Sequence, residues 1–391
     1  MKIQRFMRFL GIIAGGAIAF AQAAPAAASN AHFVANDGVD TNSCGASDHP
    51  CRSISQAIEN ASNGDTVWVR AGMYGDLNND GRFDAPGEEH PSNGPINCMI
   101  CIFKNGVQVL SVYGPAVTII NGGDTALAGA AVAVALEADG AVLGTVDNGF
   151  TIKGGGFVGV EVRHGAYSKV IGNIVENGIA GSTCVGPVYI TDNIVSHSAG
   201  IGYQVIGEDN CPNAGPIYLT NNVASDVNGP GFTLASIDIV RFVGNVSRRN
   251  VVGANIITVA PIGGVTGVIS NSAFIANRGA GIQFSEGGAT VTGNTILGNQ
   301  GPGISVSVTN PRSITLHNNN IYGNDISQAP ANCGVLNNSA VVIDAKKNFW
   351  GSATGPGSDP ADNAGPGSGC DLGHSSTVVT PFATTHFPVS P

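Results

Sequence analysis

One stretch of this 391-residue sequence has the residue types and spacing of a calcium-binding loop. It covers residues 76–88 and reads DLNNDGRFDAPGE. Oxygen-bearing side chains stand at loop positions 1, 3, 5 and 9, and a glycine at position 6 allows the sharp turn of a chain that wraps a cation. The pattern therefore predicts a Ca²⁺ ion with a structural role. The predicted ligands are the side chains of Asp76, Asn78, Asp80, Asp84 and Glu88 and the backbone carbonyl of Arg82.

This loop is similar to EF-hand and dockerin loops, with one departure. Position 12 is Gly87, and the carboxylate arrives one residue later, at Glu88. No helical pattern flanks the stretch, so a solvated loop without an ion is the alternative. A bound ion is expected to stiffen an extracellular loop, and a catalytic calcium is the other interpretation.

A second set of charged residues follows short apolar segments: Glu161, Arg163, His164, Glu208 and Asp238. Hydrolysis of a glycosidic bond needs two carboxylates about 5–9.5 Å apart, and a lyase needs a base and a cation beside an anionic sugar. The sequence determines neither set. These residues are predicted to contact a substrate, with solubilising charges on exposed turns as the alternative.

An internal repeat provides the elements that must position these groups. A polar residue recurs with gaps of 20, 29, 23, 27, 22, 25 and 29 residues, which average 25. Each unit contains two or three short Val/Ile/Phe-rich runs separated by Gly, Asn, Asp or Ser, so helical repeats are excluded. The unit fits one coil of a parallel β-helix. The recurring residues are Asn173, Asn193, Asn222, Asn245, Ser272, Asn294, Asn319 and Asn348.

The repeated asparagine has a structural explanation. Asparagine tolerates the left-handed turn conformation, and amides stacked about 4.8 Å apart can hydrogen-bond along the axis. Alternation within each strand predicts that Val160, Phe232, Ile282 and Ile304 face the interior. The outward residues, which would offer a row of polar groups to a long polymer, are Glu161, Thr233, Gln283 and Ser305.

The N-terminus predicts export. Residues 1–23 contain three basic residues, a short apolar run and an A-x-A site, which is typical of a secretory signal peptide. No later stretch is long enough to span a membrane. A net charge of −10 without a basic run argues against nucleic acid as a partner. We expect a secreted or periplasmic monomer.

The eight cysteines form an even set in an exported chain, which predicts disulfides. Cys184 and Cys211 stand in equivalent loops and are expected to pair across adjacent coils. The other expected pairs are Cys44 with Cys51, Cys333 with Cys370, and Cys98 with Cys101, although a CxxC motif can also be redox-active or bind metal.

Both ends of the repeat are predicted to be capped. Ser53 precedes an amphipathic pattern with Gln56 in the capping-box position, which predicts a helix of about two turns over the N-terminal end. At the other end, Phe349 and Trp350 are expected to close the interior, with a sugar-stacking tryptophan as the alternative.

The order of these segments resembles the secreted right-handed parallel β-helix proteins of the pectin-lyase-like superfamily. The resemblance rests on PCRSISQAIENASNGDTVWVRAGMY, the N-x-[IV] coils, NFWGSATGP and VVTPF. It implies an all-β, single-stranded right-handed parallel β-helix of about ten coils, with a capping helix and a disulfide-stapled C-terminal cap. The domain is expected to cover residues 31–382, with an inserted loop at 75–97 and a tail at 383–391.

The superfamily includes lyases, hydrolases, epimerases, esterases and non-catalytic surface proteins, so the fold does not settle the chemistry. Gly144-Thr145-Val146-Asp147 departs from the esterase motif after Asp147, which argues against a pectin methylesterase. We expect recognition of an extended polysaccharide on the outer face, with lyase or hydrolase activity as one version. The alternative is a non-catalytic, adhesin-like surface or matrix protein.

Overall fold

The chain forms three parallel sheets that wind around one apolar interior. The computed structural model describes residues 29–83, 85–89, 98–123, 132–156, 158–163, 165–182, 185–206, 213–235, 240–257, 266–307, 313–325, 333–339, 342–356 and 377–388. Within these residues successive strands join different sheets, except that the first two strands and the last two all belong to the first sheet. Each strand pairs only with strands of the coils above and below. The architecture is the expected right-handed parallel β-helix.

The first sheet has thirteen strands and the other two have ten each. The first sheet contains, in order along the axis, Ala31–Val34, Thr66–Val69, Gln108–Ser111, Val142–Leu143, Lys169–Ile171, Val185–Thr191, Asn213–Thr220, Val240–Val243, Thr266–Ser270, Gly288–Thr292, Thr315–His317, Ile343–Asp344 and Thr377–Val378. The second sheet contains Cys98–Ile102, Val132–Leu136, Val158–Val162, Ile179–Ser182, Tyr203–Ile206, Pro230–Ala235, Val252–Ile257, Ile282–Phe284, Ile304–Val306 and Val335–Asn337. The third sheet contains Gly72–Gly75, Thr118–Gly122, Thr151–Gly154, Ile174–Val175, Ile194–Ser196, Val223–Ser225, Val246–Arg248, Ala273–Ile275, Thr295–Leu297 and Asn320–Tyr322.

The predicted inward and outward faces of the second sheet are confirmed by its register. Val160, Phe232, Ile282 and Ile304 lie in one inward row and are fully buried. The outward row runs in register from Glu161 through residues 180, 204, 233, 255 and 283 to Ser305. Side chains on this row therefore point away from the apolar interior.

The recurring asparagines form a hydrogen-bonded ladder at the turn between the first and third sheets. In most steps the backbone N–H and Nδ2 of one asparagine both donate to Oδ1 of the next, and all eight ladder residues are at most 1% exposed. Ser272 continues the ladder with a single bond, in which its Oγ accepts the backbone N–H of Asn245 at 3.1 Å.

The expected left-handed conformation belongs to the residue before each ladder position, which corrects the prediction for the asparagines themselves. Asp192, Asn221, Asn271 and Asn318 have φ between 49° and 58°. The left-handed residue reverses the chain, and this leaves the following asparagine free to point inward and bond along the axis. The short polar residue or glycine that precedes a ladder asparagine therefore contributes to the turn as much as the asparagine does.

A second ladder, which the sequence analysis missed, lies at the turn between the third and second sheets. Asn250, Asn277, Asn299 and Asn324 bond in series at 2.8–3.2 Å and are at most 1% exposed. The second ladder can be recognised in the sequence, because each of its asparagines follows a first-ladder residue by five positions. A row of glycines packs against these amides, and a Cβ on Gly281 would lie 2.9 Å from Nδ2 of Asn299.

The predicted capping helix is Ile54–Asn60, and the Ser53 side chain accepts the N–H of Gln56 at 3.3 Å. The Gln56 side chain does not return to the Ser53 N–H. It donates to Asn60, and Asp40 accepts the Ser53 N–H instead. At the C-terminal end Trp350 is fully buried in the main apolar core, in the position expected of a residue that closes the interior.

Two expected disulfides are present, Cys44–Cys51 and Cys98–Cys101, with Cα atoms 5.0 and 5.6 Å apart. Cys333 is also disulfide-bonded. The predicted partner Cys370, the Cys184–Cys211 pair and the signal peptide lie outside the described residues. In the part of the chain that the structure describes, no helix has the length and hydropathy to cross a bilayer.

Candidate functional site

A row of large outward side chains crosses the first sheet four residues before the ladder. Strand register places Lys169, Tyr189, Tyr218 and Arg241 side by side on four successive coils. We call these four residues the tyrosine row. The lysine and arginine are exposed and the two tyrosines are half-buried, so the row is open to a ligand.

The two tyrosines form a stacked pair with a cation at each end. Their ring centroids are 4.9 Å apart and the ring planes differ by 7°. The Nζ of Lys169 lies 6.0 Å from the Tyr189 ring, and the Cζ of Arg241 lies 5.8 Å from the Tyr218 ring. Such aromatic and cation–π contacts each contribute about 0.5–1.5 kcal/mol. The contacts hold four long side chains in one ordered surface.

A shallow cavity of ≈ 540 Å³ adjoins the tyrosine row. Its wall is Tyr167, which is 60% exposed, and its floor includes Ile171 and Thr191. The backbone of Tyr167 has φ 61° and its N–H donates to the carbonyl of Pro187 at 2.6 Å. This turn places the ring beside the row, where it widens the aromatic surface.

The charges of the tyrosine row have no carboxylate partner in the part of the chain that the structure describes. Among the described residues neither Lys169 nor Arg241 takes part in an ion pair. The chain as a whole carries a formal charge of −10. Two cations that pair with no described carboxylate, over an aromatic pair on an acidic protein, favour a ligand that combines apolar faces with negative charge.

The residues that the sequence predicted to contact substrate are only partly described. Glu161 is half-buried on the outward row of the second sheet, and Arg163 follows the same strand, with its N–H donating to the Leu136 carbonyl at 3.1 Å. His164, Glu208 and Asp238 lie outside the described residues. Along the described part of the outward row, residues 101 to 336, Glu161 is the one carboxylate.

The 76–88 loop is described except for Asp84. Asp76 is fully buried and its Oδ2 accepts the N–H of Gly81 at 2.8 Å. Asn78 accepts the N–H of Asp80 at 2.9 Å, and Asp80 accepts the N–H of Arg82 at 2.8 Å. Glu88 accepts the N–H groups of residues 77, 78 and 85, so it closes the loop. The predicted ligand residues other than Asp84 are thus linked by hydrogen bonds within the described part of the loop.

Another group of potential ligands lies at the N-terminal end. Asp40, Cys44 and Cys51 bring ligand atoms within 4.8 Å of one another. The two cysteines are disulfide-bonded, and Asp40 Oδ1 accepts the N–H groups of Arg52 and Ser53. These contacts give the group a structural role.

Comparison with known proteins agrees with the architecture. Residues 188–348 match the family model described as a right handed beta helix region. A search of curated proteins finds no match. The chain folds as a right-handed parallel β-helix, which is the fold that the sequence resemblance implied.

Proteins of similar fold with solved structures are named for different polymers. The A-module of the Azotobacter vinelandii mannuronan C-5 epimerase AlgE4 is 15% identical, with a TM-score of 0.48 over 84% of this chain and 91% of that chain. A pectin methylesterase in complex with a hexasaccharide is 12% identical, with a TM-score of 0.40 over 64% and 80%. A rhamnogalacturonan lyase is 12% identical, with a TM-score of 0.39 over 77% and 88%. At these values the likenesses carry no conclusion about activity.

Proposed function

We propose that this protein binds an extended acidic polysaccharide along the outer face of its first sheet. The observation that carries the proposal is the tyrosine row, a stacked aromatic pair with one exposed cation at each end. A chain exported by the predicted signal peptide would meet such a polymer outside the cytoplasm. The proposal extends the sequence-based expectation of carbohydrate recognition to a particular surface.

The aromatic part of the row fits a sugar because a tyrosine has an apolar ring and a polar hydroxyl. Rings that are already stacked and half-buried lose little conformational freedom when a ligand binds. Tyr167 adds a third ring beside the shallow cavity, and Thr191 adds a hydroxyl on its floor. Apolar faces with a few polar groups are the usual composition of a small-molecule or sugar subsite.

The cations favour a polymer with repeated negative charges. Coils are spaced about 4.8 Å apart, so Lys169 and Arg241, three coils apart, are separated by ~14 Å along the axis. A single small anion cannot contact both side chains at once. A chain of uronic acids that runs along the axis can place one carboxylate near each cation.

The described residues support binding more directly than they support bond cleavage. Hydrolysis needs a pair of carboxylates, and the outward row of the second sheet has Glu161 alone in its described part. Both versions of the function are carried forward to the test: a lyase or hydrolase, and a non-catalytic surface or matrix protein.

The test is a binding assay with polygalacturonate, alginate and a neutral glucan. We expect the wild type to bind an acidic polymer, and Tyr218→Ala to lose about tenfold or more in affinity, equivalent to about 1.4 kcal/mol. Tyr113→Ala is the control, because Tyr113 is 67% exposed and lies outside the row. Equal affinity of wild type and Tyr218→Ala for every polymer would overturn the proposal.

The same incubations separate the two versions of the function. New reducing ends report hydrolysis, and ultraviolet absorbance of an unsaturated product reports β-elimination. Binding without either signal supports the non-catalytic version, and either signal supports an enzyme.

A further inference from the structure

We infer that the 76–88 loop binds one Ca²⁺ ion that ties the N-terminal helix to the first coils of the β-helix. This site is separate from the tyrosine row and does not depend on the proposed function. The inference rests on a buried oxygen atom and on the two anchors that hold the loop.

The buried atom is Oδ1 of Asp76. The Asp76 side chain is fully buried, and its Oδ2 accepts the Gly81 N–H. Among the described residues Oδ1 has no hydrogen-bond partner. A buried carboxylate oxygen without a partner is costly, because it has lost its water and gained nothing in return. A cation beside Oδ1 would remove that cost.

The chain around this atom has the form of an ion-binding turn. The bond from Gly81 back to Asp76 closes a ring over residues 76–81, and Gly81 adopts φ 78° at the sharpest point. Asn78 and Asp80 lie on this ring and carry side-chain oxygens. Hard oxygen ligands at alternate positions of a tight turn are what Ca²⁺ prefers.

Glu88 completes the loop from the other end. Its Oε1 accepts the N–H groups of Leu77 and Asn78 at 3.2 and 3.3 Å, and its Oε2 accepts the Ala85 N–H at 2.8 Å. The loop has Gly87 at position 12 and its carboxylate one residue later, at Glu88. In that place the Glu88 carboxylate connects the two ends of the loop by hydrogen bonds. Its charge adds to the attraction for a cation.

Two anchors connect the loop to different parts of the fold. On one side, the Asp76 N–H donates to the Asn121 carbonyl at 2.9 Å, and the Asn121 side-chain amide donates back to the Asp76 carbonyl. On the other side, Glu89 accepts the N–H of Ser55 at 2.7 Å, in the first turn of the capping helix. An ion between residues 76 and 88 would therefore join the cap to the third sheet.

The first test measures Ca²⁺ binding by calorimetry with CaCl₂ as the only ligand. We expect one ion per chain with a dissociation constant of about 10⁻⁴–10⁻³ M, as in other extracellular modules. Asp80 is exposed, so Asp80→Asn should fold normally and weaken binding by about tenfold or more. Asp48→Asn removes the same charge from a side chain that is 82% exposed and lies outside the loop, and it should bind like wild type.

The second test uses trypsin, because Arg82 is an exposed cleavage site inside the loop. Ca²⁺ should slow cleavage after Arg82 in the wild type and in Asp48→Asn but not in Asp80→Asn, as followed by mass spectrometry. Absence of Ca²⁺ binding in the wild type would overturn the inference. Equal binding by Asp80→Asn, or equal protection by Mg²⁺, would also overturn it.

Discussion

The side chain of Asn222 bonds to both of its ladder neighbours. Its Nδ2 donates to Oδ1 of Asn245 at 3.1 Å, and its Oδ1 accepts the backbone N–H and Nδ2 of Asn193 at 3.1 and 3.2 Å. Its Nδ2 also donates to the carbonyl of Ile190 at 2.7 Å. One amide thus satisfies polar groups on the coils before and after its own, in an interior that water does not reach.

Asn222→Ala should therefore be strongly destabilising. The change leaves the buried backbone N–H of Asn193 without its acceptor, at a cost of about 1–3 kcal/mol. It also removes the bonds that Nδ2 of Asn222 donates to Ile190 and Asn245. We expect the free energy of unfolding to fall by about 3 kcal/mol in urea denaturation. Asn228→Ala, at an exposed position of the same coil, should change it by less than about 0.5 kcal/mol. Similar losses in the two variants would contradict the role of the ladder.

Gly281→Ala should also destabilise, for a steric reason. The new Cβ would lie 2.7 Å from the Gly303 carbonyl oxygen and 2.9 Å from Nδ2 of Asn299, so the second ladder must shift. We expect a loss of about 1–3 kcal/mol in the same denaturation assay. Gly200→Ala is the matched control, since its Cβ would meet no atom within 4 Å. If Gly281→Ala leaves the free energy of unfolding unchanged, the amides of the second ladder are not tightly packed.

The stability of the N-terminal coil should depend on pH through Asp65. Burial would raise the pKa of this carboxyl, but the N–H groups of Ser62 and Asn30 and the His32 ring outweigh burial and hold the pKa below its usual value. A depressed folded-state pKa adds stability above the unfolded-state pKa, about 3.9, and this stability is lost as the pH falls through the folded-state value.

Asp65→Asn should consequently lower the free energy of unfolding by about 1–2 kcal/mol at neutral pH, and the gap to wild type should narrow below about pH 4. The measurement is urea denaturation as a function of pH. Asp48→Asn should track the wild type throughout, because its side chain is 82% exposed. A gap that is constant with pH would indicate that the carboxylate charge contributes nothing.

Arg241→Gln should weaken the proposed polymer binding in a salt-dependent way. The substitution keeps a long polar side chain over Tyr218 but removes its charge. We expect a loss of about three- to tenfold for an acidic polymer at low salt, which shrinks as added salt screens the interaction. Arg248→Gln is the control, since Arg248 is exposed on the third sheet. Equal salt dependence in the two variants would argue against Arg241 as a polymer contact.

Much of this fold was predictable because the ladder residues mark the register of the coils between Asn173 and Asn348. Counting four residues back from Asn193 and Asn222 gives Tyr189 and Tyr218, and counting five forward from Asn245 gives Asn250. The first ladder was predicted from its spacing, but the residues at these two offsets were not. A search for polar and aromatic residues at fixed distances from the ladder would have found the tyrosine row.

Other features depend on contacts between distant residues and leave no local pattern. The hydrogen bond between Glu89 and Ser55 joins residues 34 positions apart. The burial of Asp76 Oδ1 without a hydrogen-bond partner among the described residues follows from how closely the loop packs. The capping box illustrates the same limit. Its spacing was present, but Asp40, from a separate loop, takes the Ser53 N–H that Gln56 was expected to accept.

The three corners of the β-helix differ in how freely they can change length. From strand Lys169–Ile171 to strand Asn320–Tyr322, every join between the first and third sheets contains two residues. The joins that leave strands Ile179–Ser182, Tyr203–Ile206, Pro230–Ala235 and Val252–Ile257 for the first sheet contain 2, 6, 4 and 8 residues. Evolution can therefore lengthen or exchange segments at the edge that leads into the first sheet, while the edge of the first ladder keeps a constant length and preserves the alignment of the coils. Loop grafting at that edge offers a way to change the specificity of the protein without redesigning its scaffold.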